Sequence, residues 1–166
     1  MMLEMKVSAI AVDPYTNTTV VILKDSEDQN ALPIWIGLME ASAIAVELEK
    51  IKLSRPMTHD LLKEVLKNLN ANIVRVEVND LKDNVYYATI HLLHNEKLHL
   101  IDSRPSDAIA IAIRTGSPIF VDRKVIERSK NINLRKVKEY QGEGSSEDLL
   151  EILENLPADE FGKYKM

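Results

Sequence analysis

The 166-residue sequence predicts an α+β domain, an antiparallel or mixed sheet with helices packed on it, followed by a helical appendage. Three observations carry that prediction. Alternating runs rich in β-branched residues recur in both halves of the chain. Two stretches with apolar residues at three- and four-residue spacing follow the first group of runs. An Ala-Ile repeat, bracketed by helix-start and helix-stop residues, follows the second. With 45% hydrophobic and 28% charged residues, the composition is that of an ordinary folded chain.

Residues 5–12 and 18–24 read as strands, with turn chemistry in Asp13-Pro14-Tyr15-Thr16-Asn17 between them. Leu32-Pro33-Ile34-Trp35-Ile36 is a third strand, and its proline suits an edge of the sheet. A helix is expected from Gly37 to about Lys52. A second runs from Thr58, read as its N-cap, to about Asn70, with Leu61, Leu62, Val65, Leu66 and Leu69 as one buried stripe. Ile73 to Asn79, Val85 to Leu93 and Lys97 to Ile101 form an antiparallel meander, turned by Leu81-Lys82-Asp83-Asn84 and His94-Asn95-Glu96.

Residues 108–113 fit strand or helix by periodicity alone. Pro105 in the first turn, Asp107 beside it and Gly116 as C-cap decide for helix. Pro118-Ile119-Phe120-Val121 is a last strand, and Asp122 to Lys130 a short helix. Gln141 to Ser145 reads as a spacer, and Ser146 caps an amphipathic helix carrying Leu149, Leu150, Leu153 and Leu156. Residues 3–130 are therefore the expected domain, and 131–166 a charged extension.

A weak internal duplication is visible. Pro33-Ile34-Trp35-Ile36 echoes Pro118-Ile119-Phe120-Val121, and Arg55-Pro56 echoes Arg104-Pro105. Read this way, the element order differs between the halves, so recurrent cap chemistry explains the echoes as well as a repeat does.

The net charge of −5 argues against non-specific adhesion to nucleic acid or anionic lipid. Its distribution is uneven. Residues 123–139 hold seven basic groups against two acids, and residues 142–166 seven acids against two lysines. Solvated surface and a polyanion-binding strip are the two readings of those runs. The absence of cysteine removes disulfides, thiolate metal sites and a cysteine nucleophile, and fits a cytoplasmic address. No basic segment precedes a long apolar run, so neither a signal peptide nor a membrane span is expected.

Glycine-rich phosphate loops, G-x-S-x-G and H-E-x-x-H are all missing from the sequence, so no nucleotide cofactor is expected. His91, His94 and His99 cluster on a hairpin, but alternation puts His91 and His94 on opposite faces, and they read as exposed strand and turn residues. Two polar knots are left: Arg55-Pro56-Met57-Thr58-His59-Asp60 at one helix start, and Asp102-Ser103-Arg104-Pro105-Ser106-Asp107 at another. Asp102 and Asp107 can converge on a divalent cation beside a phosphate held by Arg104. Equally, Asp107 can serve the helix N-terminus while Arg104 pairs with Asp102. Glu40 sits in the first turn of its helix, and Asp83-Asn84 is turn chemistry.

At these motifs the chain resembles the bifunctional nuclease domain family. The resemblance rests on Leu32 to Gly37, Glu40-Ala41, Arg55 to Leu62, Leu81 to Ala88 and Ile101 to Ala110, in that order, within residues 5–130. It implies an α+β fold, bacterial or plant membership and cleavage of RNA and DNA. Glu40, Arg55, His59, Asp60, Asp83, Asp102, Arg104 and Asp107 match residue by residue.

Two functions compete. In the first, the resemblance implies a phosphodiesterase but supplies no agreed catalytic set; from their chemistry, His59, Asp60, Asp102, Arg104 and Asp107 are read as catalytic, with Arg55 and Arg104 on the substrate. Glu40, Asp102 and Asp107 then hold Mg²⁺ or Mn²⁺. In the second, the chain is a non-enzymatic regulatory or assembly module, whose Arg-Pro knots merely start helices. A homodimer paired through the Trp35 edge strand is expected.

Overall fold

The computed structural model describes residues 1–12 and 18–130. The turn expected at 13–17 and the spacer, helix and extension expected over 131–166 lie outside them. The elements run β1 (Met2–Val12), β2 (Thr19–Asp25), β3 (Ala31–Ile36), α1 (Leu38–Leu48), α2 (Thr58–Asn68), β4 (Asn72–Lys82), β5 (Val85–His94), β6 (Lys97–Ser103), α3 (Pro105–Thr115) and β7 (Ile119–Asp122). A last helix, α4, covers 123–130.

The strands form one mixed sheet in the order β3-β2-β1-β7-β4-β5-β6. Only the β4–β7 pair is parallel. Pro33 lies in β3, an edge strand, where a missing N–H leaves no gap in the ladder. The tight turns are set by sequence. Asp83-Asn84 and Asn95-Glu96 each take positive φ at two successive residues, the geometry that matches the twist of a two-residue hairpin.

Each half of the chain is a three-stranded meander followed by a helix: β1-β2-β3-α1 and β4-β5-β6-α3. The halves thus share one element order. The echo noted between residues 33–36 and 118–121 joins non-equivalent strands, since β3 is an edge and β7 lies in the middle of the sheet. The echoing Arg-Pro motifs begin α2 and α3, which are likewise non-equivalent.

Register explains which face is buried. Met5, Ile119, Val76, Ile90 and Ile101 align across five strands, and this row faces the helices. The adjacent row, Glu4, Phe120, Glu77, Thr89 and Asp102, faces the other way. α3 lies against β4 and β5, α1 against β2, and both meet each other. Eight of the eleven α3 residues are buried, including Ile109 and Ile111. Burying each such side chain stabilises the fold by about 1.5–3 kcal/mol.

α2 differs from expectation. It ends at Asn68, its N-cap is Met57 rather than Thr58, and none of its residues is buried. Leu61, Leu62, Val65 and Leu69 are 40–57% exposed. α2 packs mainly against α3, as an outer helix, and its apolar stripe stays exposed. α1 is also shorter than predicted, ending at Leu48, after which Lys50 takes φ +53°. His91 is not an exposed strand residue: it is 8% exposed, with Nε2 3.1 Å from Glu77 on the face opposite the helices.

Candidate functional site

The site begins with two helix starts brought side by side. At α3, Arg104 occupies the N-cap position in extended conformation and Pro105 sets the first helical residue. That places Arg104 and Asp107 on neighbouring edges of the first turn, and Arg104 Nε donates to Asp107 Oδ2 at 2.7 Å. At α2, Asp60 Oδ2 accepts from the Met57 backbone N–H at 2.9 Å, which caps the helix and fixes His59 next to it. His59 Nε2 then meets Asp107 Oδ1 at 3.0 Å.

A third helix start completes the chain. Glu40, in the first turn of α1, accepts from Arg104 Nη1 at 2.9 Å. Gly37 makes room for it: a Cβ at that position would collide with the Glu40 carboxylate. The result is a continuous polar line, Glu40–Arg104–Asp107–His59, drawn from the starts of α1, α2 and α3. Arg104 keeps 65% of its side chain exposed, whereas His59 keeps 16%.

The electrostatics follow from these contacts. Burial works against the charge of Asp107, yet the bonds from Arg104 and His59 outweigh it and hold its carboxyl below the ordinary range. Asp107, then Glu40, raise the pKa of Arg104 further. Asp60 is also held low, first by Arg114, with burial opposing.

Arg114 was not singled out by sequence. Its side chain is 1% exposed, donating to Asp60 at 2.7 Å, to the Ala43 carbonyl at 2.8 Å and to the Ala110 carbonyl at 2.9 Å. It ties α1, α2 and α3 together beneath the line. The available signal was a lone arginine closing the apolar run 108–113, on a helix with no other base.

The remaining residues separate. Asp102 sits on the sheet face turned away from the helices, and Arg104 pairs with Asp107 and Glu40 rather than with it. Lying at the strand end, Asp102 still lines a crevice of about 420 Å³ with Val85, Tyr87, Arg104 and Asp107. Arg55 lines a different crevice, about 290 Å³, with Asp60, Lys63 and Ile51. Asp83 is at the tip of the β4–β5 turn.

The expected cation set of Glu40, Asp102 and Asp107 does not fit a metal as arranged, because the Arg104 guanidinium binds both Glu40 and Asp107. Among the described residues no group of three or more His, Asp or Glu side chains is placed to hold an ion. Among the same residues, no helix is long and apolar enough to cross a membrane.

A mixed sheet of two βββα units, with a polar line strung between helix starts, defines the class. Comparison with known sequences gives the family. The model of the bifunctional nuclease domain matches residues 21–133, and the chain belongs to that family. An uncharacterised protein of Mycobacterium tuberculosis is 36% identical over 126 residues, which is 76% of this chain and 75% of that protein. Bifunctional nuclease 1 of Oryza sativa subsp. japonica is 30% identical over 110 residues, 63% of this chain but 33% of the plant protein. Bifunctional nuclease 2 of Arabidopsis thaliana is 26% identical over 113 residues, 66% of this chain and 34% of its own length.

Proposed function

We propose that this chain is a cytoplasmic nuclease that hydrolyses phosphodiester bonds of RNA or DNA, with His59 transferring the proton and Arg104 holding the phosphate. Family membership supports nuclease-type activity in general. The observation that carries the residue assignment is the Glu40–Arg104–Asp107–His59 line.

Asp107 holds His59 through Nε2, which fixes the ring. Nδ1 is then the nitrogen that exchanges a proton with the attacking water or the leaving oxygen. Arg104 is anchored through Nε and Nη1 with its side chain 65% exposed, and its remaining N–H groups serve a phosphate that gains charge on the way to the transition state. Asp60 acts at one remove, holding Arg114 and the start of α2. Asp102 borders the same crevice and is the carboxylate there that Arg104 does not engage. Arg55, in its own crevice, serves a more distant part of a long substrate.

Pure protein incubated with end-labelled RNA and DNA, in Mn²⁺ and in EDTA, tests the reading. Cleavage should follow the protein peak, and His59→Asn should lower its rate by about 10²–10⁴. A pure, folded protein that cuts neither substrate under either condition ends the nuclease assignment. Unchanged cleavage by His59→Asn ends the proton-transfer role.

One observation favours a second reading, an assembly module that pairs with its own copy. α2 exposes Leu61, Leu62, Val65 and Leu69 on one side, a surface that suits isologous contact better than the Trp35 edge. Light scattering on the parent and on Val65→Glu decides it: a dimer that the substitution dissociates supports the module, and a parent mass near 18.8 kDa removes it.

A further inference from the structure

The crevice beside Arg104 has an aromatic wall that the reaction does not use. Tyr86 and Tyr87 are neighbours on β5 and point to opposite faces of the sheet. Tyr86 is tied inward: its hydroxyl donates to the Pro33 carbonyl at 3.3 Å and meets Ser129 Oγ at 3.0 Å. Tyr87 lies on the same face as Asp102, is 41% exposed and lines the crevice together with Asp102, Arg104 and Asp107. Among the described residues its hydroxyl makes no hydrogen bond, in contrast to that of Tyr86.

The ring is also held in place electrostatically. Lys82 Nζ sits over it, 6.0 Å from the centroid, and is itself pinned by Asp80 at 2.8 Å. One face of the ring is therefore covered by a cation, while the residue as a whole stays 41% exposed toward the crevice.

We infer that Tyr87 is the stacking platform for one unpaired base whose backbone phosphate is held by Arg104, so that the substrate is single-stranded. Three features converge on this. A crevice of about 420 Å³ is room for one nucleotide. A base that stacks on a side chain must leave its own stack, which an unpaired strand does at little cost and a duplex does not. The chain's net charge of −5 disfavours non-specific adhesion to a double helix, so recognition falls on a few well-placed contacts. Every base has a face to stack, so the platform selects strandedness rather than sequence.

This inference rests on the nuclease reading for the cleavage step alone, and binding is measured without cleavage. Fluorescein-labelled oligodeoxythymidine, alone and annealed to oligodeoxyadenosine, is titrated with full-length His59→Asn protein and followed by anisotropy. Adding Tyr87→Ala should weaken single-strand binding about tenfold and leave duplex binding unchanged, whereas Tyr87→Phe should bind as the parent does. Tyr87→Trp gives an independent readout, since a stacked base should quench its emission relative to the parent, whose tryptophan is Trp35.

Equal binding by Tyr87→Ala and parent overturns the inference. So does an equal loss in Tyr87→Phe, unquenched Tyr87→Trp emission, or no single-strand binding by the parent. Tyr87-dependent binding by a wild-type chain that cuts nothing removes the nuclease reading and leaves the nucleotide subsite standing.

Discussion

α2 and α3 are both eleven residues long, both begin at an Arg-Pro motif, and both carry apolar residues at helical spacing. α3 buries eight residues and α2 none. Position in the chain accounts for the contrast. α3 follows directly from the edge strand β6 and folds back over β4 and β5, so the sheet covers one side and α1 and α2 the other. α2 follows α1 after the loop 49–57, finds the sheet already covered, and is left mainly against α3. One helix is held by apolar burial, the other by polar contacts at its first turn.

Substitutions in the two helices separate the two modes. Ile109→Ala should cost about 3–4 kcal/mol in urea unfolding, since it empties a site with no exposure. Val65→Ala should change stability by less than about 0.5 kcal/mol. A large loss at Val65 would mean that the stripe of α2 is covered in solution. Arg114→Met comes next after Ile109→Ala, at about 2 kcal/mol, because it leaves the Ala43 carbonyl and the Asp60 carboxylate without their charged donor. An unaltered melt would show that α2 needs no tie to α3.

Acid should release α2 before it unfolds α3. The carboxyls of Asp60 and Asp107 titrate below their unfolded value, so the stability they add is complete above about pH 4 and is lost as pH falls through their lower folded values. Amide exchange in residues 58–68 should accelerate over that window while 105–115 stays protected. Simultaneous loss in both helices would contradict the contrast.

Gly37→Ala should leave the melt where it is, since the Glu40 carboxylate at the end of a flexible side chain can give way. It should nonetheless detach Glu40 from Arg104 and lower cleavage. Smallest is the effect of ending the chain after Lys130, because Val125 and Ile126 already close the core of the described part. We expect a cooperative melt near that of the full chain.

Local chemistry made most elements legible. Turn residues with positive φ, Pro105, Gly116 and strict alternation each act within a few positions, so the strands and α3 could be placed from sequence. Features that depend on the whole fold were harder. The period of α2 announces an apolar stripe but not which side the domain occupies. The burial of His91 depends on neighbouring strands, and Asp102 shares a stripe with Leu98 and Leu100 that proved to lie on the exposed face. At the site, the separation of 48 residues between His59 and Asp107 leaves no trace in spacing. The partners of Arg104 follow from α1 and α3 meeting, which no single segment encodes.

The place of β7 has a consequence for how the molecule is made. This four-residue strand pairs with β1 on one side and β4 on the other, yet it is the last strand of the described chain to leave the ribosome. Until residues 119–122 emerge, the two meanders have no common ladder, and the inner edges of β1 and β4 stand open. Such long-range closure is slow, and open edges invite pairing with other chains in the interval. Release of the C-terminal stretch, rather than collapse of either half, is therefore the step that joins the sheet.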